Sequence, residues 1–173
     1  PFATAVFTAS SHHPFKVPAE YEGKLPEGTL PIHRCIAYTD HALRRFFEKA
    51  SRQPWYKNTL FVLTADHPNQ SSHQEYQTDL GGFRVPILFF APGDTALCGK
   101  RPGIAQQIDI FPTVMGYLRY DRPYLSFGCD LLHTPPEQTY AVNYLNGIYQ
   151  YIKGYFLLQF DGQRTTGVYD YRH

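Results

Sequence analysis

The chain has 173 residues, of which 43% are hydrophobic and 18% charged; this suits one ordinary globular domain and excludes a disordered segment. Sixteen basic against fifteen acidic residues leave a net charge of +1, so no field of one sign points to nucleic acid or an anionic membrane as partner. Fourteen Tyr and thirteen Phe supply ample material for a core.

In chain order, Phe2 to Ala9 is an apolar, β-branched and aromatic run that ends at Ser10-Ser11-His12-His13-Pro14, the pattern of a buried strand entering a loop. Residues 16–30 carry Pro18, Gly23, Pro26 and Gly28 and read as an irregular excursion. From Pro31 to about Arg52, Ile36, Leu43, Phe47 and Ala50 recur at helical spacing, with Pro31 suited to the first turn. Thr59 to Ala65 and Val85 to Ala91 are two more apolar strands, the first stopped by Asp66-His67-Pro68 and the second by Pro92-Gly93. The segment Ile104 to Leu118 reads as helical at least after Pro112, with Phe111, Val114, Met115 and Leu118 turned inward.

These elements predict an α/β fold: a mainly parallel sheet flanked by helices. The runs 140–145, 148–153, 155–160 and 165–171, separated by Asn146-Gly147, Gly154 and Asp161-Gly162, predict a small C-terminal antiparallel sheet. The expected division is an α/β layer over 1–135 and hairpins over 136–173, both parts of one domain spanning 1–173. No stretch approaches the ~20 apolar residues that cross a bilayer, so the chain reads as soluble. Cys35, Cys98 and Cys129 form neither a CxxC pair nor a zinc pattern and read as buried or incidental thiols.

Ligands of open α/β sheets bind beyond the carboxyl ends of the strands. Two clusters fall there, Ser10-Ser11-His12-His13 and Asp66-His67, and they converge if their strands are parallel neighbours. A carboxylate beside an imidazole can ligate Zn or Mn or carry protons; the plainer reading is a cap or a solvated loop. Adjacent strand residues point to opposite faces, so Asp66 and His67 share a centre only if the chain leaves extended geometry there. Asp40-His41 is an internal control: the same dipeptide in mid-helix, where Asp40 can pair with Arg44 and a surface role is expected. Gln70 and His73 follow the strand-end pair and are weaker candidates. Arg84 reads as an exposed flank, and Asp109 and Asp130 as structural acids near helix or turn starts.

The ordered series SSHHPF, CIAYTDHALRRFFEKA, PWYKNTLFVLTADH, FRVPILFFAPG, QIDIFPTVMGYL and SFGCDLL resembles the C-terminal portion of the sulfatase-like branch of the alkaline phosphatase superfamily. Within that branch it is most similar to the lipoteichoic-acid-synthase-like phosphoglycerol transferases. The resemblance is collinear from about Phe2 to Leu132 and implies a partial alkaline phosphatase-like fold. By that resemblance Asp66 and His67 are metal ligands and His12 binds substrate oxygens, with Ser11 in place of the usual Asn. The implied cofactor is a divalent metal ion, Mn favoured over Ca, Mg or Zn, held weakly or not at all by these two ligands alone.

The resemblance assigns no catalytic nucleophile to these residues; the family's nucleophile lies upstream, and no Cys-x-Pro-x-Arg signature surrounds any of the three cysteines. The chain is therefore expected to be a fragment, inactive alone, of a metal-dependent sulfatase-like enzyme, with phosphoryl or phosphoglycerol transfer or phosphoester cleavage favoured. The alternatives are a sulfuric ester hydrolase on the same scaffold and a non-catalytic binding module. The implied partners are a phosphoester or sulfate ester, lipid-linked or glycan, and a second copy meeting the truncated side. The parent is expected at the extracytoplasmic face of a bacterial membrane, anchored by helices outside this chain.

Overall fold

The structure, a computed structural model, describes residues 1–172. Helix α1 spans Pro31–Ala50 and helix α2 Ile110–Tyr117. Strands β1 (Phe61–Thr64) and β2 (Ile87–Phe90) pair as a two-stranded sheet. A four-stranded antiparallel sheet follows, in the order β3 (Tyr140–Leu145), β4 (Ile148–Lys153), β5 (Phe156–Phe160) and β6 (Thr165–Asp170). Between them lie short single turns of 3-10 helix.

The described residues divide into two compact units, one of residues 1–61, 66–84 and 90–95, the other of residues 62–65, 85–89 and 96–172. In the first unit, α1 starts with Pro31 in its first turn, where a missing N–H costs nothing. The His33 ring nitrogen Nδ1 accepts the Thr29 N–H at 3.1 Å and so closes the helix entrance. Ile32 and Cys35 sit one turn apart and bury against Phe15 and Val17, with Tyr21, Leu25, Leu30 and Tyr38 packed around them. Further along, Phe47 meets Phe61 at 5.2 Å and Phe90 at 5.7 Å, both edge-on.

In the second unit the C-terminal sheet forms as its turn residues dictate. Asn146 and Gly147 both take positive φ, 51° and 87°, the geometry of a two-residue turn that matches strand twist. Ala141, Gln150, Ile152 and Leu157 alternate onto the buried face of β3, β4 and β5. Asp161 closes the last hairpin by accepting the N–H groups of Gln163 and Arg164 on one carboxylate oxygen, each at 2.8 Å. Those bonds hold its carboxyl below the usual range.

Residues 2–9 depart from the expected buried strand. They have no strand conformation, and Phe2, Val6 and Phe7 are 63%, 80% and 78% exposed. An apolar run becomes a strand only when a neighbour binds its N–H and C=O groups. Phe2 places its ring edge-on against Trp55 at 5.7 Å. Helix α2 also differs from its expected facing: Pro112 and Thr113 are its buried residues, whereas Phe111 and Leu118 are exposed. Thr113 is held inward because its hydroxyl donates to the Asp109 carbonyl at 2.6 Å and accepts the Leu131 N–H at 3.0 Å.

Candidate functional site

Strand β1 ends at Thr64, and the backbone bends at Asp66 and His67. That bend is the departure from extended geometry that lets neighbouring side chains turn to one side. Asp66 Oδ1 accepts the His67 backbone N–H at 2.9 Å, and Asp66 Oδ2 lies 3.4 Å from His67 Nε2. His67 Nδ1 faces the Pro68 carbonyl at 2.7 Å. A carbonyl only accepts, so Nδ1 carries the proton and the neutral ring presents Nε2 as a lone pair beside the carboxylate.

This donor set fits a divalent cation. One ring nitrogen donating to a backbone carbonyl, which leaves the other nitrogen's lone pair available to a cation, is the orientation seen in metal-binding histidines. Two ligands at about 2.1 Å from a tetrahedral cation are themselves about 3.4 Å apart. Both side chains are accessible, His67 at 65% and Asp66 at 52%. Among the described residues no group of three or more His, Cys, Asp and Glu could hold a metal ion, so the pair supplies two ligands.

His12 lies in the same compact unit as Asp66 and His67. Its turn is closed by the His12 N–H on the Ala9 carbonyl at 3.1 Å and the Phe15 N–H on the His12 carbonyl at 2.9 Å. Phe15, left-handed at φ 58°, drives the end of that turn into the first unit's core. His12 Nδ1 donates to the His13 carbonyl at 2.8 Å, so its Nε2 is also a bare acceptor when neutral. The bonds of His12 are all within its own turn among the described residues. His13 packs its ring edge-on against Phe15 at 5.7 Å.

Asp40-His41 behaves as the control should, lying on α1. Arg44 donates to His41 Nδ1 at 2.9 Å instead of pairing with Asp40. His41 thus carries its proton on the opposite nitrogen from His67. Gln70, His73 and Arg84 are exposed; His73 meets the Tyr76 ring at 6.4 Å.

The acids read as structural are so. Asp109 is fully buried, with Oδ1 accepting the Cys129 N–H at 2.8 Å and Oδ2 the Gln106 N–H at 2.9 Å. Asp130 accepts the Leu132 N–H and the His133 ring N–H, at 2.9 and 2.7 Å. The cysteines differ among themselves: Cys35 is buried, Cys129 half-buried and Cys98 exposed. Burial pushes the Cys35 thiol up, with Arg34 opposing. Burial and then the Asp109 charge push Cys129 up.

One contact had no signal in the spacing of the sequence. The Gln107 side-chain amide donates to the Ala65 carbonyl at 2.7 Å, across 42 positions, and so ties the residue that follows the β1 strand.

No helix among the described residues is long and apolar enough to cross a membrane. A crystal structure of a protein in the alkaline phosphatase superfamily from Vibrio parahaemolyticus superposes with a TM-score of 0.77 at 25% identity, covering 92% of this chain and 39% of that one. The multifunctional alkaline phosphatase superfamily protein PehA of Trinickia caryophylli is 25% identical over 116 residues, 64% of this chain and 23% of that protein. The chain thus spans between about a quarter and two fifths of these relatives. Its residues 1–120 match the family model described as Sulfatase, and the chain belongs to that family.

Proposed function

We propose that this chain supplies the Asp66-His67 metal pair and the His12 substrate contact of a metal-dependent esterase or transferase, with phosphoryl or phosphoglycerol transfer favoured. The observation that carries the reading is the Asp66-His67 arrangement: a proton fixed on Nδ1, and Nε2 set 3.4 Å from a carboxylate oxygen. Members of the superfamily generally use divalent metals and act on phosphoesters or sulfate esters. When bound, the cation supplies Lewis-acid polarisation of the transferred group.

The chain's own residues do the rest of what is assigned here. Asp66 and His67 hold and orient the ion, and the Pro68 carbonyl keeps the His67 ring from rotating. His12, fixed by a turn anchored through Phe15, offers Nε2 to the substrate's oxygens, accepting from a hydroxyl when neutral and donating when protonated. No residue of this chain is assigned as nucleophile. The preference for phosphoglycerol transfer, a lipid-linked or glycan substrate, Mn as the ion and an extracytoplasmic setting rests on the resemblance of the motifs. A second reading, sulfate-ester hydrolysis, is favoured by the family model that matches residues 1–120.

The test is turnover by the intact enzyme with a phosphodiester and a sulfate ester side by side. Asp66→Ala and His67→Ala should each lower turnover about a hundredfold or more, since Lewis-acid stabilisation is worth several kcal/mol. His12→Ala should raise KM while leaving metal content unchanged. Wild-type turnover in the first two variants overturns the site; preference for the sulfate ester selects the second reading.

A further inference from the structure

Along α1, Tyr38, His41, Arg45 and Lys49 follow at steps of three and four residues and so share one face. Between that face and Tyr21 lies a cleft of about 250 Å³, which Phe46 also lines. The whole of it belongs to the first compact unit. Arg45 Nη1 donates to the Tyr21 hydroxyl at 2.9 Å, across 24 positions of sequence. The Tyr21 ring stands edge-on to Tyr38 at 5.0 Å and to His41 at 5.3 Å. Ring and guanidinium are therefore held in place before any ligand arrives, which lowers the cost of binding one.

We propose that this cleft binds a small phosphate monoester whose substituent is apolar and flat. The first reason is charge. Arg45 and Lys49 line the cleft and no carboxylate does, and neither cation forms an ion pair among the described residues. Asp40 and Glu48 of α1 stand about 140° and 60° round the helix from Arg45, and Glu20 and Glu22 beside Tyr21 are exposed. Lys49 lies in the last turn, where the negative end of the helix also favours a cation. Arg45 lies a turn earlier, so the helix end does not account for it.

The second reason is the kind of donor. The Arg45 guanidinium gives one N–H to Tyr21 and keeps a fork of others, the geometry that matches two phosphate oxygens. The Tyr21 hydroxyl accepts in that bond and keeps its own proton to donate. His41 accepts from Arg44 on Nδ1 at 2.9 Å and so carries its N–H on Nε2. The third reason is shape. The rings of Tyr21, Tyr38 and Phe46 line the same space, and aromatic rings favour a flat apolar neighbour. The volume falls below the ~300–1,000 Å³ of sites for drug-sized ligands, which confines the occupant to a small molecule.

The inference is independent of the proposed chemistry at Asp66, His67 and His12. Phenyl phosphate and inorganic phosphate, titrated at constant ionic strength into the metal-free, 15N-labelled chain, test it. Phenyl phosphate should shift the amides of Tyr38, His41, Arg45 and Lys49 saturably and bind more tightly than inorganic phosphate. Arg45→Gln should weaken it about tenfold, the loss of a forked guanidinium–phosphate pair. Lys49→Gln, which leaves the Arg45–Tyr21 bond in place, should weaken it about threefold, and Lys57→Gln, outside the cleft, should change nothing. Circular dichroism checks that the variants fold. Equal affinity for the two probes, equal losses in Lys49→Gln and Lys57→Gln, or no saturable shift on α1 overturns the proposal. Shifts confined to the turn of His12 overturn it too, and leave the His12 substrate contact standing.

Discussion

The Asp109 carboxylate accepts the Cys129 N–H at 2.8 Å and so pins the segment after Gly128 to the start of α2, twenty residues earlier. Its other oxygen accepts the Gln106 N–H, and the group is fully buried. Gly128 permits the approach: a Cβ there would stand 2.3 Å from the Ile108 carbonyl oxygen.

Replacing Asp109 by Ala leaves two part-buried backbone donors without their acceptor, each orphan costing about 1–3 kcal/mol. The expected loss is about 3 kcal/mol of stability, seen as a fall in melting temperature of roughly 10 °C. Asp109→Asn should lose less, because one oxygen still accepts. Thermal unfolding of the two variants beside wild type checks the order.

Arg172 holds the Asp170 carboxyl down to about 2, from an ordinary value of 3.8. A folded-state pKa below the unfolded one stabilises the fold above the unfolded value, and that contribution is lost as pH falls through the folded value. The C-terminal strand pairing should therefore keep this contribution at pH 4 and lose it towards about pH 2. An NMR titration of Asp170 should show its midpoint move back up towards 3.8 in Arg172→Gln. An unmoved midpoint would reject Arg172 as the cause.

The hairpins were legible in the sequence because their signals are local. Asn146-Gly147 dictates its own turn, and alternation in β4 dictates which residues face inward. Residues 2–9 were not, because apolar composition records a tendency to be buried and does not name the backbone that would pair with it. Thr113 was missed in the same way: its burial comes from bonds to Asp109 and Leu131, which no helical period reveals. The Asp66-His67 and Asp40-His41 pairs are identical as dipeptides, and their separation by strand end and mid-helix was readable. The opposite proton placement on the two rings was not, since it depends on the Pro68 carbonyl in one case and Arg44 in the other.

Thiol reactivity should follow the environments of the three cysteines. Cys98 is exposed, Cys35 is buried with its thiol pushed up, and Cys129 is pushed up by burial and by Asp109. The thiolate is the reactive form. At neutral pH a thiol reagent should label Cys98 first and leave the other two until the fold opens, as mass spectrometry of partially labelled chain would show. Faster labelling of Cys129 would contradict its placement against Asp109.

The most direct test of the metal assignment needs no turnover. Mn²⁺ added in small amounts to the 15N-labelled chain broadens the ring resonances of histidines near the bound ion, and His41 provides a reference within the same molecule. The account predicts that His67 broadens before His41 and that Asp66→Ala removes the difference. His67 broadening no sooner than His41, or broadening unchanged in Asp66→Ala, would contradict it.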